Sequence, residues 1–135
     1  MPFQYAAKLI CGVSKEGVGL TNGTYETLIN IHNPGRTQEF KYKLAVAGEG
    51  KSGKIFPFKG TGIETDGAVF FACRTIRKIY GIGDTLIDGF FVIESSTALD
   101  VIAVYTTMDL SGKGVPAIAV ERVFERAIRA FTPSA

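Results

Sequence analysis

The sequence predicts an all-β fold, an antiparallel β-sandwich of seven to eight strands with a short C-terminal helix. Three observations lead to this prediction. Two runs rich in β-branched and aromatic residues, 89–95 and 99–109, are joined by the short polar stretch 96–98. Residues 38–47 alternate between apolar and charged side chains with the period of two that a half-buried strand shows. Sixteen glycines punctuate the chain, as in turn-rich β proteins.

The two runs at 90–106 are predicted to be adjacent antiparallel strands, a central β-hairpin around which the rest of the chain packs. Both runs carry apolar residues on both faces, so the pattern is not cleanly amphipathic. Such strands are covered on both sides by their own chain, or on one side by a sheet and on the other by a neighbouring subunit. A buried helix is the competing interpretation, and the β-branched and aromatic content together with the strand-length punctuation argue against it.

Other strands are predicted at 5–11, 24–32, 38–47, 68–73 and 117–123. The second and third of these should pair across the Asn33-Pro34-Gly35 turn. Any strand at 55–59 contains Pro57 and should therefore lie at an edge or be broken. Residues 75–80 are predicted to form one helical turn, ended by Gly81. The strand at 38–47 should bury four side chains and expose its charged ones: Phe40, Tyr42, Leu44 and Val46 inside; Glu39, Lys41 and Lys43 outside.

The C-terminal tail spaces Phe124, Ile128 and Phe131 at i, i+4 and i+7, which predicts a short amphipathic helix. Such a helix is marginal alone, so it should dock on its own domain or on a neighbour. We therefore divide the chain into a β-sandwich domain, 1–123, and a helical tail, 124–135, and we expect the three apolar residues at an oligomer interface.

Size and charge exclude several classes of function. A chain of 135 residues is long enough for one domain with a proper core. Its net charge of +2 does not favour nucleic-acid binding. No apolar run approaches the roughly 20 residues of a membrane span, and no signal peptide is visible. The sequence is compatible with a cytoplasmic protein and with the mature form of a secreted protein.

The two cysteines, Cys11 and Cys73, are compatible with one disulfide, and two buried free thiols are the alternative. Their spacing does not suggest a metal site, and no cofactor is predicted. The stretch 45–52, AVAGEGKS, loosely fits a phosphate-binding loop. That mechanism requires a helix directly afterwards, which Gly53 and Pro57 disfavour, so a flexible hairpin loop is the preferred interpretation.

Three residues are candidates for ligand binding: His32, Asp100 and Tyr105. Asp100 places a charge on the face of a strand that is otherwise apolar, so it needs a partner, for which Arg122 or Arg74 is available. The pair would be an internal salt bridge, or a polar anchor in a ligand pocket or subunit interface. His32 is the only histidine, and at a strand end it ordinarily bonds to the turn.

The segments YAAKLICG, INIHNPG, GFFVIES, LDVIAVYT and ERV, in that order, resemble a group of small uncharacterised bacterial β-sandwich proteins. More remotely, the strand layout is similar to the sensory-rhodopsin-transducer family. That resemblance implies an oligomer with a binding role and no catalysis, and it transfers no binding residue. The tail FERAIRAF departs from the proline-rich ending expected in the bacterial group.

We therefore expect a non-enzymatic homo-oligomer that acts by self-assembly or by binding a protein. A small-ligand module, for carbohydrate among other ligands, is the first alternative, and it requires Tyr25, Tyr42, Tyr80 and Tyr105 to converge on one pocket. The absence of Trp disfavours it. A hydrolytic enzyme is the second alternative; it requires His32 within hydrogen-bond reach of a cysteine, serine or carboxylate inside a cleft.

Overall fold

A computed structural model describes residues 2–15, 19–112 and 116–128. These residues form ten strands and one helix: β1 Phe3–Ser14, β2 Gly23–His32, β3 Gln38–Gly48, β4 Lys51–Ile55, β5 Lys59–Ile63, β6 Ala68–Ala72, α1 Cys73–Tyr80, β7 Ile87–Ser95, β8 Asp100–Met108, β9 Ala117–Val123 and β10 Arg126–Ala127. The all-β prediction is confirmed, with ten strands in place of seven or eight. None of the described helices has the length and apolar character that a membrane span needs.

All strand pairs are antiparallel, in the order β4-β3-β7-β1-β2-β8-β9. β5 also pairs with β3, β6 with β2, and β10 with β1. The long strand β1 connects two groups of strands, since residues 3–11 pair with β7 and residues 12–14 pair with β2.

The predicted central hairpin is wrong in its pairing, although both of its strands exist. β7 pairs with β1 and β3, whereas β8 pairs with β2 and β9. The connection lacks the Asn-Gly or Gly-rich pair that closes a tight hairpin. Instead, Thr97 bonds to the side chain of Gln38 at 2.6 Å, and the main-chain N–H of Leu99 donates to the hydroxyl of Tyr5 at 2.7 Å. These bonds fix the connection between β7, which pairs with β1 and β3, and β8, which pairs with β2 and β9.

The predicted pairing of β2 with β3 is also wrong, and Asn33 supplies the physical reason. This residue is fully buried after β2, and its amide nitrogen lies 2.9, 3.2 and 3.0 Å from the carbonyl oxygens of Arg36, Ile63 and Glu64. Its Oδ1 accepts a bond from the side chain of Gln38 at 3.1 Å. The bonds direct β3 away from β2, so that β3 pairs with β7 and with β4 and β5.

Local predictions fare better. In β3, Phe40, Tyr42 and Leu44 are buried and Val46 is half-buried, while Glu39 and Lys41 are exposed. Pro57 interrupts the edge, because β4 ends before it and β5 begins after it. The helix ends at Gly81, whose φ of 64° is the left-handed conformation that glycine favours. Lys51–Ile55 is a strand, so the helix that a phosphate-binding loop requires is replaced by β4.

An aromatic cluster occupies the core. The ring of Phe71 in β6 lies 4.8 Å from that of Tyr42 in β3 and 5.0 Å from that of Phe91 in β7. Tyr42 and Phe91 stack at 5.5 Å. Because β6 belongs to the group around β2, these contacts join the two groups of strands through buried apolar surface.

Candidate functional site

An exposed apolar surface lies on the outer side of β6, β2, β8 and β9. Its centre is a row of direct cross-strand neighbours, one from each strand: Ala72, Leu28, Val104 and Val120. Alternate residues of β2 and β8, such as Ile29, Ile31, Val101 and Ala103, point to the opposite side and are buried. The four strands therefore place one apolar face in the core and a second, partly exposed face outside it, on which Ala72, Leu28 and Val104 are half-buried and Val120 is exposed.

Two further rows extend this surface. Phe70 lies beside Asn30, which lies beside Ile102 and then Arg122. On the other side of the central row, Glu26, Thr106 and Ile118 are neighbours. Phe70, Ile118 and Val120 are 62%, 68% and 66% exposed. We call the three rows together the interaction face; an apolar row flanked by exposed apolar side chains and rimmed by polar ones is typical of an interaction site.

Strand β9 forms one end of this sheet. Within the described ranges it pairs with β8 and with no other strand. Six of its seven residues are exposed, and only Val123 is buried. An exposed edge strand with apolar side chains presents free N–H and C=O groups to a further strand.

His32 and Asp100 lie together at one end of the sheet, as direct cross-strand partners. The Nδ1 atom of His32 is 2.8 Å from Oδ2 of Asp100, and its Nε2 atom is 3.7 Å from Oδ1 of Asp66. The partner of Asp100 is thus His32, and the predicted pairing with Arg122 or Arg74 is wrong. All three side chains are substantially exposed, so the histidine–carboxylate pair is open to solvent rather than enclosed in a cleft.

Tyr105, the third candidate, is not brought to this pair. It lies five residues further along β8, on the core side of the strand, where it lines a groove of about 190 Å³. The groove is also lined by Ile10, Tyr25 and residues 117–119. The Oη atom of Tyr105 is buried and has no hydrogen-bond partner in the described part of the chain. Burial raises the pKa of Tyr105 to about 12; the Glu121 carboxylate adds to the shift, and the main chain of Lys8 opposes it.

The four tyrosines divide into two pairs. Tyr25 and Tyr105 share the groove described above. Elsewhere, the hydroxyl of Tyr80 donates to the main-chain oxygen of Tyr42 at 3.3 Å. The single tyrosine-lined pocket that would favour a carbohydrate module is therefore not formed.

The structure joins Cys11 to Cys73 by a disulfide, with Cα atoms 5.8 Å apart. The bond ties β1 to the first residue of α1. Arg77 lies alongside and donates to the main-chain oxygen of Cys11 at 3.1 Å. Among the described residues no group of three or more His, Cys, Asp or Glu side chains is placed to hold a metal ion.

The predicted C-terminal helix is not formed over its first five residues. Arg126–Ala127 pairs with Phe3 and Gln4 as strand β10, and the N–H of Ile128 donates to the main-chain oxygen of Pro2 at 3.0 Å. Pairing with the start of β1 satisfies main-chain groups that a short isolated helix would leave to water. Phe124 and Ile128 remain exposed, and Phe131 lies outside the described residues.

Two features of the structure could not be predicted from the sequence: the interaction face and the role of Asn33. The alternation of β2 and β6 could have indicated Leu28 and Phe70 as surface residues, but only the register makes them neighbours of Val104 and Ile102. The role of Asn33 had no sequence signal beyond its place in a turn.

No protein-family model matches this chain, and no curated protein sequence matches it. Among solved structures, the crystal structure of Thermotoga maritima 1070 is similar, with a TM-score of 0.60 at 12% sequence identity. The match covers 91% of this chain and 92% of that chain. At this identity the likeness concerns the fold alone.

Proposed function

We propose that this protein is a non-enzymatic β-sandwich that self-associates through the interaction face. The observation that carries the proposal is the unbroken apolar row Ala72, Leu28, Val104 and Val120, flanked by the exposed side chains of Phe70 and Ile118. A face of this kind loses unfavourable hydration when a second apolar surface covers it.

The sandwich arrangement is part of the same proposal. Support comes from contacts between strands that are not neighbours in the sheet, such as the Phe71–Phe91 ring contact and the Tyr5–Leu99 hydrogen bond. Two groups of strands that share one aromatic core are the expected architecture of a two-layer β protein.

A second copy of the chain is the favoured partner because the apolar row has charges of opposite sign on its two sides. The apolar rows have an acidic residue, Glu26, at one corner and a basic residue, Arg122, on the other side of the central row. A two-fold rotation brings like apolar rows together and can set the acidic corner of one copy near the basic side of the other.

The test is the assembly state of the purified full chain, measured by light scattering and sedimentation at high micromolar concentration. We expect an oligomer. Replacing Ile118→Ser together with Val120→Ser should weaken association at least about 100-fold, because each fully buried side chain contributes about 1.5–3 kcal/mol. The matched control is Ile55→Ser with Phe58→Ser, which changes one exposed side chain of β4 and a second, 39% exposed, between β4 and β5. A strict monomer, or equal weakening by both double variants, would contradict the proposal.

A small-ligand role is the second candidate, and the groove beside Tyr105 is what favours it. Its walls are almost entirely apolar, so a compact apolar molecule with one hydroxyl fits them better than a sugar. Cyclohexanol and a panel of monosaccharides can be compared by NMR shift perturbation. Shifts at Tyr25, Tyr105 and Ala119 that saturate with cyclohexanol would support the site, and unchanged spectra with every probe would exclude it.

A further inference from the structure

The sheet edge formed by β3, β4 and β5 carries a second surface of different chemistry. Ile55 in β4 is the direct neighbour of Ala45 in β3, which is the neighbour of Phe90 in β7. Ile55 is 64% exposed, and Phe58 and Phe90 are exposed beside it. A shallow depression of about 330 Å³ lies over Ala45, between Ile55 and Phe90.

Lysine side chains lie over aromatic rings on both faces of this edge. On the face of Ile55, the Nζ atom of Lys43 is 4.5 Å from the ring centre of Phe58. Lys54 lies on the opposite face, where its Nζ atom is 4.5 Å from the ring centre of Phe56, which packs against Tyr80. Lys8 lies 5.0 Å from the ring centre of Phe90. A lysine placed over a ring covers it with its aliphatic stem and keeps its charge in water. We call this surface the lysine edge; it comprises Lys43 and Lys51 together with Ile55, Phe58 and Phe90. Lys54 and Lys59 lie on the other face of the same edge, over Phe56 and Tyr80.

The positive charge of the protein is concentrated here. Residues 38–63 contain five lysines and two glutamates, a net charge of 5 − 2 = +3, whereas the whole chain carries +2. The remainder of the chain therefore sums to −1. The nearby acidic groups are Glu39, Glu49, Asp88 and Glu94. Asp88 is paired with Lys8, and Glu94 accepts a bond from Gln4.

We propose that the lysine edge binds an anionic lipid surface, with Ile55 and Phe58 contacting the apolar boundary of the headgroups and the lysines facing the phosphates. Apolar side chains ringed by lysines are what an interfacial membrane contact requires, and each lysine near an anionic surface contributes about 1 kcal/mol. A nucleic acid would use the lysines but would leave the aliphatic Ile55 without a partner. The proposal is independent of self-association, because it concerns different strands and a different outer surface.

The test is co-sedimentation of the full chain with vesicles of phosphatidylcholine mixed with phosphatidylglycerol, compared with pure phosphatidylcholine. We expect binding to the anionic vesicles alone, weakened by salt. Lys43→Glu with Lys51→Glu should weaken it at least about tenfold, since two favourable charges become unfavourable. Ile55→Ser with Phe58→Ser should also weaken it while its salt dependence is retained.

The matched control is Val13→Ser with Leu110→Ser, which changes exposed apolar side chains outside both the interaction face and the lysine edge and should leave vesicle binding unchanged. Thermal unfolding and circular dichroism establish that each variant is folded; the substituted side chains are largely on the surface, so we expect all to be. Three outcomes would overturn the proposal: equal binding to both vesicle types, binding unaffected by the Ile55 and Phe58 changes, or displacement of the protein from anionic vesicles by a duplex DNA fragment at equal phosphate concentration.

Discussion

The hydroxyl of Tyr5 accepts a hydrogen bond from the main-chain N–H of Leu99 at 2.7 Å, in the buried interior. Tyr5 belongs to β1, and Leu99 immediately precedes β8, a strand that does not pair with this part of β1. The bond therefore holds the point at which the chain leaves one group of strands and enters the other.

Replacing Tyr5→Phe should lower the free energy of unfolding by about 1–3 kcal/mol, because the N–H of Leu99 is left buried without an acceptor. Urea unfolding measures the change. Tyr25→Phe is the control: the Tyr25 hydroxyl bonds to Thr21 at the surface, so its loss should change stability by less than about 0.5 kcal/mol. Equal effects of the two changes would assign no special role to the buried bond.

Replacing Asn33→Ala should destabilise the fold by about 3 kcal/mol or more. The change removes the amide that serves the carbonyl oxygens of Arg36, Ile63 and Glu64, and it leaves those groups short of a donor. Urea unfolding again supplies the measurement, with the exposed Asn22→Ala as control. A loss below about 0.5 kcal/mol would show that β3 is directed by packing alone.

Reduction of the disulfide between Cys11 and Cys73 should destabilise the protein by about 4 kcal/mol, since the bond spans 62 residues and restricts the unfolded chain. Thermal unfolding with and without dithiothreitol measures the loss, and the Cys11→Ala, Cys73→Ala double variant should not respond to the reductant. Titration of two free thiols in the native, unreduced protein would contradict the prediction.

Stability should fall as pH rises from about 10 towards 12, the range between the unfolded tyrosine pKa and the raised native ones. Burial raises the pKa of Tyr80 and Tyr105 to about 12 and raises those of Tyr5 and Tyr42 as well. The native state therefore keeps protons that the unfolded state releases, and its stability is retained below pH 10. Across this pH range, urea unfolding of the Tyr80→Phe, Tyr105→Phe double variant should show a smaller loss of unfolding free energy per pH unit than the unchanged protein. The same pH dependence in both proteins would contradict the assignment of the stability loss to these two tyrosines.

Tyr105→Phe alone should leave stability at neutral pH unchanged or raise it by about 1 kcal/mol. In the described part of the chain the buried Oη atom has no partner within hydrogen-bond geometry, and the nearby main chain of Lys8 only opposes the rise of its pKa. Differential scanning calorimetry is suited to a gain of this size. A loss above about 1 kcal/mol would mean that the hydroxyl is bonded in solution.

Much of the fold could be predicted from residues close together in the chain. The alternation of Phe40, Tyr42 and Leu44 with Glu39 and Lys41 reflects a local period of two, and it correctly identified the buried face of β3. The end of α1 follows from one glycine that can adopt a positive φ. Pro57 lacks an N–H group and so interrupts the edge strand wherever that edge lies.

The candidate site was less predictable. His32 and Asp100 were each singled out from the sequence, but only the register of β2 with β8 places them 2.8 Å apart. The sequence showed that β8 has apolar residues on both faces. It did not show that Leu28 and Val120 lie beside Val104, because these neighbours belong to other strands, and Leu28 lies far away in the chain. The tail showed helical spacing at Phe124 and Ile128, yet β10 pairs with β1, because pairing with an available edge outweighs the weak propensity of a short helix.

The sequence by itself determined where strands run, where the helix ends and which residues of each strand are apolar, since these depend on alternation and on single glycines and prolines. Only the tertiary structure decided which strands are neighbours. Strand pairing is selected by the burial and hydrogen bonding of the whole chain, including the bonds of Asn33 and Tyr5. Because these contacts join residues far apart in the chain, the pairing cannot be predicted from a local sequence pattern.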